Sequence, residues 1–257
     1  MKAMLVTGGG SGIGRAVAQV FSARGWRVGL ADIDAQGLKD SAALLPADRT
    51  TTHVMDVRDP SEWEEVLADF AQTSGGRLDV LFNNAGIAAG GPFGEIGLDA
   101  IDRVIDVNFR GLTYGARMAY PYLKTTPGAC LLNTASASAI YGSAGLAIYS
   151  ATKFAVRGLT EALDGEWAAD EIRVRSLMPS FIDTNLLSAG IPGTNYTARD
   201  LVLRRKLEFT PVEAVAEKAW AAVHGDRVHT VVGKTAKRMA FAARWMPGRL
   251  RAMMRAR

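Results

Sequence analysis

Tyr149 and Lys153 stand four residues apart in Tyr149-Ser150-Ala151-Thr152-Lys153, near the middle of a chain of 257 residues. On a helix that spacing places both side chains on one face, about one turn apart. An ammonium beside a phenol stabilises the phenolate and lowers a pKa that is ordinarily about 10. Such a tyrosine can exchange a proton with an alcohol or ketone near neutral pH. Tyr and Lys also fall four apart on ordinary helices, so the pair acquires meaning only from the elements that position it.

The first of these elements lies at the start of the chain. An apolar run over 4–7 leads into Thr7-Gly8-Gly9-Gly10-Ser11-Gly12-Ile13-Gly14, and a helical pattern follows. Glycines permit a tight turn and the close approach of a pyrophosphate, while the helix start turns free N–H groups and its positive dipole end toward that anion. A second apolar run, over 27–31, ends at Asp32 with Ile33 beside it. A carboxylate here accepts hydrogen bonds from adenosine ribose hydroxyls and repels a 2′-phosphate. Ser11 supplies no compensating charge, and Arg15 is expected to face solvent. NAD(H) is therefore favoured over NADP(H). Asp56-Val57 closes a third strand, where a carboxylate can meet an adenine amino group or simply end the strand.

The wider pattern alternates short apolar runs with longer helical ones. Strands are predicted at 4–7, 27–31, 51–56, 80–83, 130–134, 173–177 and 228–232, and helices near 13–24, 35–45, 61–73, 99–123, 149–168 and 211–223. This alternation predicts an α/β fold, a doubly wound Rossmann-type parallel sheet of about seven strands in one domain over 1–233. The stretch 180–206 follows a strand end without a strand signal of its own and is read as a substrate lid. The single cysteine, Cys130, sits in an apolar run and reads as a buried thiol. His53, His224 and His229 have no companions at metal-ligand spacing, so no metal site is predicted. Asp164 and Glu166 read as solvated helix charges. No signal peptide or membrane-spanning run is visible, and a cytoplasmic enzyme is the expectation.

At this point the chain resembles the short-chain dehydrogenase/reductase family. The resemblance rests on the glycine loop Thr7–Gly14, Asp56-Val57, Asn83-Asn84-Ala85-Gly86, Asn108, Ser136, Tyr149-x-x-x-Lys153 and Pro179-Ser180-Phe181-Ile182-Asp183-Thr184, which run in the family's order over roughly 1–233. It implies a catalytic tetrad of Asn108, Ser136, Tyr149 and Lys153. In it Ser136 polarises a carbonyl, and Tyr149 is the acid in reduction and the base in oxidation. Lys153 lowers the tyrosine pKa and holds the nicotinamide ribose, while Asn108 holds a water in a proton relay. It further implies cofactor contacts from Gly8, Gly10, Ser11, Gly12, Ile13, Gly14, Asp32, Ile33, Asp56, Val57, Asn84, Ala85, Gly86, Pro179, Ile182 and Thr184, with Tyr149 and Lys153 shared. Asn83 is read as a bridge between strands. The family usually has Pro-Gly where this chain has Pro179-Ser180; serine lacks glycine's freedom at positive φ, so a different lid path is expected.

Ser138, Tyr141, Phe181 and Leu186 are the candidate substrate wall, with Leu187, Ile191 and Tyr196 on the lid. The wall suggests an apolar secondary alcohol or ketone, steroid-like, aromatic or long-chain. Arg199, Arg204, Arg205 and Lys206 leave open an anionic carrier such as an acyl thioester, whose reductases usually prefer NADP(H). A catalytically silent regulatory protein on the same fold is the other alternative. The resemblance also implies a homo-oligomer, a dimer or tetramer.

The net charge of +4 conceals a division: residues 234–257 carry eight Lys or Arg and no acid, leaving 22 basic against 26 acidic residues in the rest. A nucleic-acid-binding body is therefore not expected. In the tail Met239, Ala242, Met246, Leu250 and Met253 recur at helical spacing, and Pro247-Gly248 predicts two short helices. The stripe either packs on its own subunit or a partner, or lies on a membrane surface.

Overall fold

The computed structural model describes residues 1–184, 197–204 and 207–255. Strands β1 (Ala3–Thr7), β2 (Arg27–Asp32), β3 (Thr50–Val54), β4 (Val80–Asn83), β5 (Cys130–Thr134), β6 (Arg173–Pro179) and β7 (His229–Val232) form one sheet in the order β3-β2-β1-β4-β5-β6-β7. Every pairing is parallel. The doubly wound sheet anticipated from the alternation is the one observed. Helices α1 (Gly12–Ala23), α2 (Ala35–Ala42), α3 (Pro60–Ser74), α4 (Leu98–Ile105), α5 (Leu112–Lys124), α6 (Ala147–Glu166), α7 (Ala198–Arg204) and α8 (Val212–His224) connect the strands, and α9 (Lys234–Trp245) and α10 (Pro247–Arg255) complete the described chain.

Parallel strands covered on both faces read as continuous apolar runs, because every side chain is buried. β1 illustrates this: Met4 and Val6 join one core with Val17, Phe21 and Val215 of α1 and α8. Ala3 and Leu5 face the opposite core with Trp63, Phe70 and Leu123 of α3 and α5. Cys130 is fully buried, and burial pushes its thiol up to about 12. The thiolate is thereby suppressed, as expected of a core cysteine.

Local signals set the helix starts. Asp34 accepts hydrogen bonds from Gln36 and Gly37 N–H at the start of α2, and Asp59 accepts from Ser61 before the Pro60 that opens α3. The helix expected over 99–123 is one run from Leu98 to Lys124, but Asp106–Gly111 within it winds as a π-turn. Close packing holds that turn: a Cβ on Gly111 would come within 2.7 Å of the Val57 carbonyl oxygen, and one on Gly115 within 2.5 Å of Trp63.

Three expectations are corrected. β3 ends at Val54 rather than Asp56, because Met55 is buried and Asp56 turns to meet Arg58. Asp164 is no solvated charge: it pairs with the buried guanidinium of Arg175 and accepts from Val174 N–H. The tail stripe packs on the protein, the first of its two readings, with Leu250 buried and Met239, Ala242 and Met246 half-buried; Met253 alone departs, exposed while Met254 takes the inward place. Two short tail helices form as predicted, separated at Pro247.

Trp63 is wholly buried and its indole N–H donates to the Val57 carbonyl at 2.9 Å, tying α3 to the turn beneath the π-segment. Trp63→Ala should cost about 3–5 kcal/mol in urea unfolding, the usual range for truncating a buried aromatic. A loss below about 1 kcal/mol would mean that this side chain is not part of a packed core.

Candidate active site and dinucleotide cleft

The functional side chains gather at the carboxyl edge of the sheet, where β1, β4, β5 and β6 deliver their last residues. Gly8 and Gly12 adopt φ of +67° and +51°. A Cβ on Gly14 would stand 2.0 Å from the Gly8 carbonyl oxygen, so α1 and the loop touch backbone to backbone. Ser11 places no side-chain cap on α1 and the first turn holds no acid, which leaves donors for an anion. Thr184 lies over this turn: a Cβ on Gly12 would meet its methyl at 3.2 Å. These residues fit a dinucleotide pyrophosphate.

Asp32 ends β2 with one oxygen accepting from Gly10 N–H at 2.9 Å and the other from Asp34 N–H at 3.0 Å. The carboxylate is thus held at the rim with lone pairs remaining for ribose hydroxyls, and Ile33 beside it is exposed. Arg15 does not face solvent as expected. Its guanidinium donates to the carbonyls of Gly10 and Gly37 and its Nε to Ser41 Oγ at 2.8 Å, so it braces the loop against α2. Asp56 is occupied by Arg58, whose hydrogen bonds hold its carboxyl below the usual range. This geometry corresponds to the strand-end turn; Val57 offers its carbonyl to Trp63.

Asn83 does not bridge strands: its amide donates to the Leu112 carbonyl at the start of α5. Asn84 is the bridge. Its Nδ2 donates to the Thr7 carbonyl at 3.0 Å and its Oδ1 accepts from Thr134 Oγ1 at 3.1 Å, while Thr7 Oγ1 accepts from the N–H groups of Asn84 and Ala85. The ends of β1, β4 and β5 are thereby locked in one plane of polar contacts.

Thr134 passes this rigidity on. Its carbonyl accepts from Lys153 Nζ at 2.8 Å, deep in the interior. Lys153 lies one turn along α6 from Tyr149, with Nζ 5.6 Å from the ring centroid. The Ser136 hydroxyl accepts from Ser138 N–H at 3.1 Å and lies close enough to the Tyr149 phenol to lower its pKa. Asn108, fully buried in the π-turn, accepts from Ile87 N–H and donates to the Ile87 carbonyl, both at 2.8 Å, and donates to Thr152 Oγ1 at 3.3 Å. Gly86 closes the group: a Cβ there would lie 3.2 Å from Asn108 Oδ1 and 3.6 Å from Lys153 Nζ. All four tetrad positions therefore meet at one cleft beside the glycine loop.

The electrostatics differ from the simple expectation of a lysine lowering a tyrosine pKa. Burial pushes the Tyr149 phenol up, and the Ser136 hydrogen bond opposes it. Burial also drives Lys153 down to about 8, since an ammonium away from water is destabilised. Here Nζ is turned to a carbonyl rather than to the phenol oxygen.

Sequence reasoning missed Thr134 and Thr152, which hold Lys153 and Asn108 through backbone and hydroxyl contacts. A signal existed in Thr152 lying inside the Tyr-x-x-x-Lys spacing, and in Thr134 ending a strand just before Ser136. Of the substrate wall, Ser138 is buried and Tyr141 and Phe181 are half-buried, while Leu186, Leu187, Ile191 and Tyr196, with most of the lid, lie outside the described residues. Pro179 pairs with Val232, and Ile182 joins the core as its backbone bridges to Thr210. Ser180 needs none of glycine's freedom, since among described non-glycine residues only Glu171 has positive φ. The loop accommodates it by Gly233 at φ +95°, where a Cβ would strike Ser180 Oγ at 2.2 Å. Arg199 pairs with Asp183 at 2.7 Å, and Arg205 and Lys206 lie outside the described residues. No cluster of three metal-ligating side chains occurs among the described residues.

Residues 2–192 match the short chain dehydrogenase family. The chain belongs to that family. It is accordingly an oxidoreductase of NAD(P)-dependent type on a Rossmann fold. It is 38% identical over 185 residues to the meso-2,3-butanediol dehydrogenase of Serratia marcescens, covering 72% of this chain and 73% of that one. A solved short chain dehydrogenase/reductase from Burkholderia phymatum in complex with NAD is 26% identical with a TM-score of 0.84, covering 98% of this chain and 95% of the other. The 3-ketoacyl-(acyl-carrier-protein) reductase of Brucella melitensis complexed with NADH is 28% identical with a TM-score of 0.80, covering 90% and 96%. The family match ends before α9.

The burial of Lys153 has a pH signature. Below about pH 8 folded and unfolded chains are both protonated and the desolvation cost is complete; between about 8 and the unfolded value near 10.4 only the unfolded chain keeps the proton, so stability rises with pH. Measured against Lys153→Met, the wild-type protein should gain thermal stability between about pH 8 and pH 10. Parallel melting-temperature curves for the two across that window would contradict a desolvated ammonium.

Proposed function

We propose that this short-chain dehydrogenase interconverts a secondary alcohol and its ketone with NAD(H), on a largely apolar substrate. The observation that carries this reading is the convergence of Ser136, Tyr149 and Lys153 on one cleft beside an uncapped α1 whose neighbouring strand ends in Asp32. The nicotinamide would supply hydride acceptance and donation. Gly8, Gly12, Thr184 and Asp32 would hold the dinucleotide.

The chain's own residues do the rest. Ser136 donates toward the substrate oxygen and Tyr149 takes the hydroxyl proton in oxidation or returns it in reduction. Lys153, anchored on Thr134, presents its remaining N–H donors beside Tyr149 and the ribose position. Asn108 clamps Ile87 and so fixes the wall facing Gly86 and Lys153. Asp32 favours NAD(H), because its carboxylate opposes a 2′-phosphate and Arg15 is spent on carbonyls. The relative named for 2,3-butanediol, itself a secondary alcohol, supports the substrate class. A thioester carrier is less well served, since Arg199 is neutralised by Asp183. A silent regulatory role sits poorly with a full tetrad. The resemblance further supports a homo-oligomer.

NAD reduction should be measured against a panel of secondary alcohols. Tyr149→Phe should lower kcat/KM about 10²- to 10⁴-fold, the usual contribution of a positioned acid–base, with NADH binding retained. Equal turnover by the variant would sink the proton-transfer assignment. Separately, Asp32→Ala combined with Ile33→Arg should shift the kcat/KM ratio from NAD to NADP, whereas an unchanged ratio would remove Asp32 from cofactor choice.

A further inference from the structure

The C-terminal helices carry a surface that the oxidoreductase reading does not use. α9 and α10 turn Ala236, Leu250 and Met254 inward, and α9 packs on β7 and on the turn Ala137–Ala139 that follows Ser136. The opposite side of α9 exposes Lys237, Arg238, Phe241, Arg244 and Trp245 at spacings of three and four residues, a single continuous stripe. Phe241 is 58% exposed and Trp245 65%, and Met253 on α10 is 62% exposed. Among the described residues, the tail's one contact with a carboxylate is Lys234 with Glu208 at 3.6 Å. Arg244 lies over the Trp245 ring at 5.2 Å, so its charge is left outward without an acid.

We propose that this outer face of α9 and α10 docks on an anionic lipid surface, with Phe241, Trp245 and Met253 entering the headgroup boundary and the Lys and Arg residues meeting lipid phosphates. The charge argument selects the occupant. Residues 234–257 hold eight cations and no acid on a body with an excess of acidic residues, so the attraction to an anionic surface is local to the tail. Centres of protein interfaces favour aromatic residues and Arg but are depleted of Lys and of charge as a whole, whereas this stripe sets Lys237, Arg238 and Arg244 around Phe241 and Trp245 with no acid among them. A lipid boundary satisfies both kinds of side chain at once: rings sit at headgroup level and ammonium and guanidinium groups remain hydrated beside phosphate. No described helix is long and apolar enough to cross a membrane, so the contact is peripheral. Docking there would set the Ala137–Ala139 turn, with the cleft residue Ser138 on it, close to the lipid.

The test uses the full chain and vesicles of phosphatidylcholine with or without roughly one third phosphatidylglycerol. Trp26, Trp63 and Trp167 are buried and Trp220 is packed against the core, so Trp245 is the exposed indole that reports contact. Binding to the anionic vesicles should pellet the protein and shift its emission to the blue; neutral vesicles should do neither. Lys237→Gln with Arg244→Gln should weaken partitioning roughly 30-fold, taking about 1 kcal/mol per cation near a charged surface. Phe241→Ser with Trp245→Ser should abolish pelleting while circular dichroism and alcohol oxidation stay unchanged, which separates failure of docking from failure of the enzyme. Protein that remains in the supernatant with anionic vesicles overturns the proposal. So does equal pelleting by the variants, or a change in oligomeric size on Phe241→Ser with Trp245→Ser without any vesicle binding, which would assign the face to a second copy.

Discussion

The amide of Asn84 is the contact on which the catalytic edge depends. It donates to β1 through the Thr7 carbonyl and accepts from β5 through Thr134 Oγ1. Thr134 in turn offers its carbonyl to Lys153. One polar path thus runs from the first turn of the glycine loop, across three strands, to the ammonium on α6. Strand ends are where a sheet is least constrained by its ladder, and buried polar groups there are costly unless each is matched. Asn84 matches them, so the dinucleotide loop and the acid–base helix are set relative to one another by a single side chain rather than by two independent packings.

Burial then decides the protonation chemistry. Lys153 is held where its ammonium is disfavoured, and Tyr149 where its phenolate is disfavoured. The two shifts carry the pair apart in proton affinity, and both favour the uncharged forms, phenol and amine. The threonines that fix these groups act through short hydrogen bonds and leave no free charge of their own nearby.

Tyr149, Lys153, Ser136, Asn108 and Asp32 were legible because their chemistry depends on side-chain type and their order follows the alternation of strands and helices. The sheet was legible for the same reason: all-buried strands leave continuous apolar runs such as 80–82 and 130–132. What escaped was set by backbone. The acceptor for Lys153 is a carbonyl that any residue could provide, and the π-turn around Asn108 has no residue signature. Asn83 and Asn84 point to opposite sides of a strand, and two adjacent asparagines do not say which side faces β1 and β5. The Met239–Leu250 stripe had the same ambiguity between protein and lipid, resolved only by the packing of Leu250. Arg15 was misread because the loop carbonyls it braces have no mark in the sequence.

The π-turn at Asp106–Gly111 is, in register terms, one residue more than an α-helix needs. Everything after it is rotated by about 100° relative to an uninterrupted helix. Gly111, closing the turn, meets Val57, and Gly115, beyond it, meets Trp63 in that rotated phase. The helix therefore keeps two incompatible appointments, Asn108 turned toward Ile87 and a glycine face turned toward α3, by spending one residue between them. Its length is consequently fixed to the residue: a chain shortened by one here could satisfy the cleft or the core, and would have to abandon the other.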